Sequence, residues 1–119
     1  HLVQEKLRQA RCLVFSSNLY ETQGLVVSEA ASLGIPAIVS DVTAARELII
    51  HKTDGLLFQS NSIEDLKQKL LWMQADAFVE NLGCNAYEKF WQSSPLIEHY
   101  IASLLPIYDR VMVDYQKTV

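Results

Sequence analysis

Residues 15–41 read FSSNLYETQGLVVSEAASLGIPAIVSD, and this stretch decides the fold. It opens at the end of a short apolar run, Cys12-Leu13-Val14-Phe15, which gives way to Ser16-Ser17-Asn18 as a buried parallel strand would. A polar loop carrying Glu21 follows, then Gly24 and a helical stretch over 25–33. Gly34 and Pro36 close that helix, because Gly just past a helix end and Pro soon after cannot continue it. Ala37-Ile38-Val39 is a second short strand, ending in Ser40-Asp41. Working outward, residues 2–11 predict a polar helix, 43–50 a helical turn, and Gly55-Leu56-Leu57-Phe58 a third strand. Strand, helix, strand, helix, strand is the pattern of a parallel α/β sheet with a Rossmann-like arrangement.

The geometry of this unit favours a particular ligand chemistry. A helix starting near Gly24 points its first unpaired N–H groups beyond the strand ends, and Gly24 lets a ligand approach the backbone. Glu29 lies five residues on, roughly 7 Å down the axis, with its side chain leaning back toward the helix start. Glu21 approaches the same opening from the loop. Two acceptor-only carboxylates beside backbone donors suit sugar hydroxyls and a diphosphate together, as a nucleotide sugar presents them. In open α/β sheets such ligands sit beyond the carboxyl ends of the strands.

The remainder is helical. Asn61 with Glu64 has the form of a capping pair, and Ile63, Leu66, Leu70 and Met73 follow at helical spacing. Phe78, Leu82, Ala86 and Phe90 recur every four residues on the next helix. Ser94-Pro95 fits an N-cap and first helical position, and Ile97, Ile101, Leu104, Tyr108, Val111 and Tyr115 form one long stripe with a kink expected at Pro106. Three strands are few for a doubly wound sheet, where the strand at 12–15 would have a neighbour on each side. The expectation is therefore one partial domain over 1–119, or a sheet edge covered by another chain.

Composition bounds the rest. Of 119 residues 50% are hydrophobic and 20% charged, as in a soluble globular domain, and the formal net charge is -4. That balance argues against a nonspecific nucleic-acid binder, which needs a basic face. Cys12 and Cys84 have no paired spacing and read as two buried thiols in a reducing compartment. No apolar stretch approaches the roughly 20 residues of a membrane span, and no signal peptide opens the chain, so it reads as cytoplasmic. His1, His51 and His99 are isolated, with no metal-ligand spacing and no D-x-D, so no metal is expected. Trp72, Phe78, Phe90 and Trp91 read as core or interface packing, and Glu47 as a cap or backbone acceptor.

Residues 15–41 resemble the signature of the family 4 retaining glycosyltransferases of the GT-B fold, in which two glutamates are separated by seven residues. Glu21, Gly24, Leu25, Glu29, Ala30, Gly34, Pro36 and Ile38 match in register. The likeness continues through Asp41, Glu47-Leu48-Ile49, Asp54-Gly55-Leu56-Leu57-Phe58 and Glu64-Asp65-Leu66, to about residue 90. Thr22 and Gln23 depart from the commoner Gly and Phe.

The resemblance implies a donor-binding C-terminal part that moves a hexose from a nucleoside diphosphate sugar, a UDP-sugar above all, with retention at the anomeric carbon. Glu21 would be the catalytic residue near the reacting centre and Glu29 would hold the ribose hydroxyls. Backbone at Gln23, Gly24 and Leu25 would meet the sugar and diphosphate. No cofactor is implied beyond the donor. The E-T-Q-G-L variant resembles glycolipid-forming members, which implies a lipid acceptor and membrane association of the full-length enzyme. An Arg and a Lys that offset the leaving diphosphate lie upstream in the family, and Arg8, Arg11 and Arg46 do not match them. The acceptor-binding N-terminal domain lies upstream too, so the chain alone is expected to be inactive. The last helix would pack on that domain, and self-association through its face or the strand edge is a further expectation. Two rivals stand beside this reading: a Rossmann-like interaction module that binds no nucleotide sugar, and another GT-B enzyme such as a sugar-nucleotide epimerase.

Overall fold

A computed structural model of the 119-residue chain describes residues 2–16, 24–93 and 97–118, with side chains from 93, 97–103 and 118 left aside. The elements in order are α1 (Leu2–Gln9), β1 (Leu13–Phe15), α2 (Leu25–Ser32), β2 (Ala37–Ser40), a 3-10 turn (Ala44–Leu48), β3 (Gly55–Phe58), α3 (Ile63–Trp72), α4 (Asp76–Ser93) and α5 (Ile97–Thr118). The three strands are parallel in the order β1-β2-β3, with Val14 opposite Ile38 and Ile38 opposite Leu56. Among the described residues β1 pairs only with β2, so the second neighbour expected for it is not among them.

Alternation along β2 feeds two separate cores, because successive side chains leave a strand on opposite faces. Ile38 joins Leu56, Phe58, Met73 and Leu82, with Leu66, Phe78 and Val79 packed against them, on the α3 side. Ala37 and Val39 join Val27 of α2 and Ala45 of the 3-10 turn on the other. All four β2 residues are buried, as a central strand covered on both faces requires.

α4 spans both cores. Phe78, Val79 and Leu82 serve the first, while further along the helix Ala86 and Phe90 reach the α2 side. Between them Gly83 lies against the turn after α2, where Gly34 adopts φ +76°. Trp91 Nε1 donates to Ser32 O at 3.2 Å, satisfying a carbonyl at the end of α2. An ion pair between a buried carboxylate and a half-exposed lysine fixes the same helix to the segment before β3. Asp54, only 3% exposed, accepts from Ile50 N–H and from Lys89 Nζ, both at 2.7 Å, and Lys89 also donates to Leu48 O.

At the α3–α4 turn, Arg11 donates through Nε to Met73 O at 2.5 Å and through Nη2 to Gln74 O and Asp76 Oδ1 at 2.9 and 2.6 Å. A cation at the end of a helix satisfies its last carbonyls and suits its negative pole. The Arg11 side chain is 46% exposed, so water screens much of this. Arg11→Ala is expected to lower stability by about 1 kcal/mol, read as a fall in urea midpoint at constant m-value.

The remaining helices refine the expectations. The α3 cap is Ser62, whose Oγ accepts from Asp65 N–H at 3.1 Å, not Asn61, which sits one residue earlier in left-handed backbone at φ 63°. Of the α3 stripe, Met73 is buried and Leu66 half-buried, whereas Ile63 and Leu70 are exposed. Cys12 is half-buried, with its thiol pushed up by burial, but Cys84 is exposed, so the two do not form a buried set. α5 runs unbroken through Pro106, and Leu105, Tyr108, Val111, Met112 and Tyr115 lie exposed along it. The expected cap at Ser94-Pro95 falls outside the described residues.

Candidate functional site

The site is built at the carboxyl ends of β1 and β2. Gly24 is the N-cap residue of α2, and its carbonyl accepts from Val27 N–H and Ser28 N–H at 3.0 and 3.2 Å. Leu25 and Val26 N–H therefore have no acceptor within the helix, and they point past its start. Among the described residues no side chain caps this end, and the partial positive pole of α2 there suits an anionic group.

Gly24 is buried, and its smallness has a packing cause the sequence did not reveal. A Cβ there would fall 2.6 Å from Ala45 Cβ and 3.3 Å from Leu48 Cδ1. The 3-10 turn thus lies directly against the start of α2, and a side chain at Gly24 would force the two apart. Ala45 is the signal that was missed: a small buried residue facing a glycine.

Glu29 sits on α2 and is half-buried. Among the described residues no group hydrogen-bonds its carboxylate, while its backbone carbonyl accepts from Ser32 Oγ at 2.6 Å. Leu25 opens the helix with 63% of its surface exposed, an apolar side chain beside the N–H groups that have no acceptor within the helix. Glu21 and Gln23, the predicted catalytic residue and a predicted backbone contact, lie outside the described residues. Of the predicted set, Gly24, Leu25 and Glu29 are thus held by one helix.

On the far side of the opening, β2 ends at Ser40, which is fully buried with its Oγ unpartnered among the described residues. Thr43 Oγ1 donates to Ser40 O at 3.0 Å, and exposed Arg46 donates to Asp41 O at 3.0 Å. Glu47 is exposed, and no hydrogen bond of its side chain forms among the described residues, so the expected cap is not seen. A cavity of about 190 Å³ lies elsewhere, walled by Val27, Ala31, Ile35, Ala86 and Phe90. It also meets Ala37 and Asp54, at the amino ends of β2 and β3, the opposite end from where ligands of open sheets bind. No three metal-ligating side chains cluster among the described residues. No described helix is long and apolar enough to cross a membrane.

Comparison with known proteins places this geometry. The family model described as "Glycosyl transferases group 1" matches residues 1–89. An exopolysaccharide phosphotransferase of Streptomyces coelicolor is 34% identical over 90 residues, covering 74% of this chain and 9% of that protein. Among solved structures, sucrose-phosphate synthase of Thermosynechococcus elongatus superposes with TM-score 0.81 at 25% identity, over 92% of this chain and 27% of that one. The HepE protein of Anabaena, solved with UDP and glucose, gives TM-score 0.76 at 20% identity, over 87% of this chain and 29% of that one. The chain spans about a tenth of the curated relative and just over a quarter of each of these two structures.

Proposed function

The chain belongs to the glycosyl transferases group 1 family, and from that premise we propose that it is the donor-binding part of a retaining hexosyltransferase using a UDP-sugar. One observation carries the reading: α2 begins at the carboxyl end of the sheet with its first N–H groups uncapped among the described residues, and it carries Glu29 half-buried on the same helix. A pure interaction module has no need of that combination. The UDP seen in the Anabaena structure, which shares the fold, agrees with it.

In the proposed reaction the bond between the anomeric carbon and the diphosphate oxygen breaks, an acceptor hydroxyl oxygen bonds the same face of that carbon, and the hydroxyl proton passes to the departing diphosphate. Negative charge grows on the departing diphosphate. Leu25 and Val26 N–H and the positive pole of α2 stabilise it from a fixed position, which needs no reorganisation as the charge develops. Glu29 accepts hydrogen bonds from the ribose hydroxyls, and Glu21 serves at the hexose. Further cationic groups and the acceptor site come from an N-terminal half, which makes transfer a property of the longer protein. A lipid acceptor remains part of the proposal through the E-T-Q-G-L variant. The phosphotransferase name belongs to a protein of which this chain matches about a tenth.

The direct test is titration of the chain with UDP while backbone amide resonances are followed. Saturable shifts are expected at Leu25, Val26 and Glu29, with a dissociation constant of about millimolar because upstream cations are lacking. Shifts that fail to saturate, or that centre on the cavity beside Ala86 and Phe90, would remove the reading.

A further inference from the structure

Among the described residues no fourth strand pairs with the outer edge of β3, which is closed by two side chains and by the backbone at 51–52. Phe58 O accepts from Asp41 N–H on the β2 side, so Leu57 and Gln59 turn their backbone groups outward. Leu57 N–H donates to His51 Nδ1 at 2.9 Å, and Gln59 N–H donates to Asp65 Oδ2 at 2.6 Å. Lys52 N–H donates to Gly55 O at 2.8 Å, and His51 bridges Gly55 in parallel register. An apolar edge strand, Gly-Leu-Leu-Phe, is thereby denied to other chains, and His51 supplies the central fastening.

We propose that His51 is a pH-sensitive latch on this edge: neutral, its Nδ1 holds the Leu57 N–H, and protonated it lets that N–H go. A neutral imidazole accepts at one nitrogen and donates at the other, while imidazolium donates at both. Protonation therefore turns the acceptor facing Leu57 into a second donor.

The surroundings sharpen the response. Lys52 lies in the same turn, and Lys69 and Asp65 face His51 from α3; β3 contributes no ionisable side chain. Lys69 and Lys52 place their ammonium groups 4.5 and 5.2 Å from the Trp72 ring centre. Lys69 is held at 2.8 Å by Asp65, whose carboxyl that ammonium holds below the usual range. A charged His51 would add a third cation to a group with one carboxylate. His51 is exposed, yet its partial burial first, then Lys69 and Lys52, push its pKa down, with Asp65 opposing. The neutral form is thus favoured by folding. Its contribution is present above the ordinary histidine range and is lost as pH falls through the lowered pKa.

The test is amide exchange of the 119-residue chain, corrected for intrinsic rates, between about pH 7.5 and pH 5. Protection of Leu57 is expected to fall about fivefold or more over that range, while Ile38 at the centre of the sheet stays protected. His51→Gln, whose carbonyl accepts without titrating, should hold Leu57 protected at both ends, and His51→Ala should lose it at both. Constant Leu57 protection in the wild type, an equal acid loss in His51→Gln, or a parallel loss at Ile38 would each overturn the latch.

Discussion

Gly83→Ala is expected to lower the stability of the domain by about 3 kcal/mol or more, the largest structural effect of any single methyl group here. A Cβ on Gly83 would be driven deep inside van der Waals contact of the Gly34 carbonyl oxygen, and would also lie 3.5 Å from Pro36 Cδ. Neither obstacle is a flexible side chain that could swing aside. Gly34 is pinned in left-handed backbone at φ +76°, and its N–H is bonded to Ala31 O at 3.0 Å. The variant must therefore lift α4 off the end of α2. Lifting it strains the Trp91 bond to Ser32 O and the Lys89–Asp54 pair, which both depend on where α4 lies. Helix propensity works the other way, favouring Ala over Gly by about 1 kcal/mol, but this is outweighed. The measurement is a urea midpoint with its m-value. Cys84→Ala, at an exposed neighbouring position, provides the reference and should stay within about 0.5 kcal/mol of wild type. A Gly83→Ala protein as stable as wild type would mean that α4 does not dock on this turn.

That close approach was not legible in the sequence, although the elements on either side of it were. The three strands fall within a residue of where the apolar runs place them, because a buried parallel strand leaves an unmistakable apolar block between turn residues. Gly34 and Pro36 read as a helix stop, and they are one. Gly83, by contrast, sits mid-helix, where periodicity sees only a weak helix former. Its reason is a carbonyl 49 residues earlier in the chain, and no local pattern reports that. The same limit applies at Gly24, whose neighbour Ala45 belongs to another element, and at His51, which looked isolated because its partner is a backbone N–H. The α3 cap slipped by one residue for a local reason: Asn61 is itself a favoured residue for left-handed backbone, which left Ser62 to cap. For the site, sequence spacing was enough to put Gly24, Leu25 and Glu29 on one helix. It could not say how far Glu21 approaches them, and that residue lies outside the described structure.

In a longer protein carrying the proposed N-terminal half, Glu29→Ala is expected to weaken UDP binding by about tenfold to a hundredfold. Hydrogen bonds to a charged group contribute about 1.5–3 kcal/mol, and each 1.4 kcal/mol is a factor of ten. The loss has a further signature. Ribose hydroxyls are not altered in the reaction, so their grip is as strong in the ground state as in the transition state. The KM for donor should then rise while kcat changes little, with kcat/KM falling in step with affinity. A ligand lacking those hydroxyls separates contact from mere proximity. UDP built on a 2′,3′-dideoxyribose should bind wild type and Glu29→Ala alike, because one partner of the interaction is already gone from each complex. If the variant still loses affinity for the dideoxy ligand, Glu29 acts through the shape of α2 and not through the sugar. If it loses none for UDP itself, the half-buried carboxylate on α2 is a feature of the fold, and the donor assignment loses the side chain on which it chiefly rests.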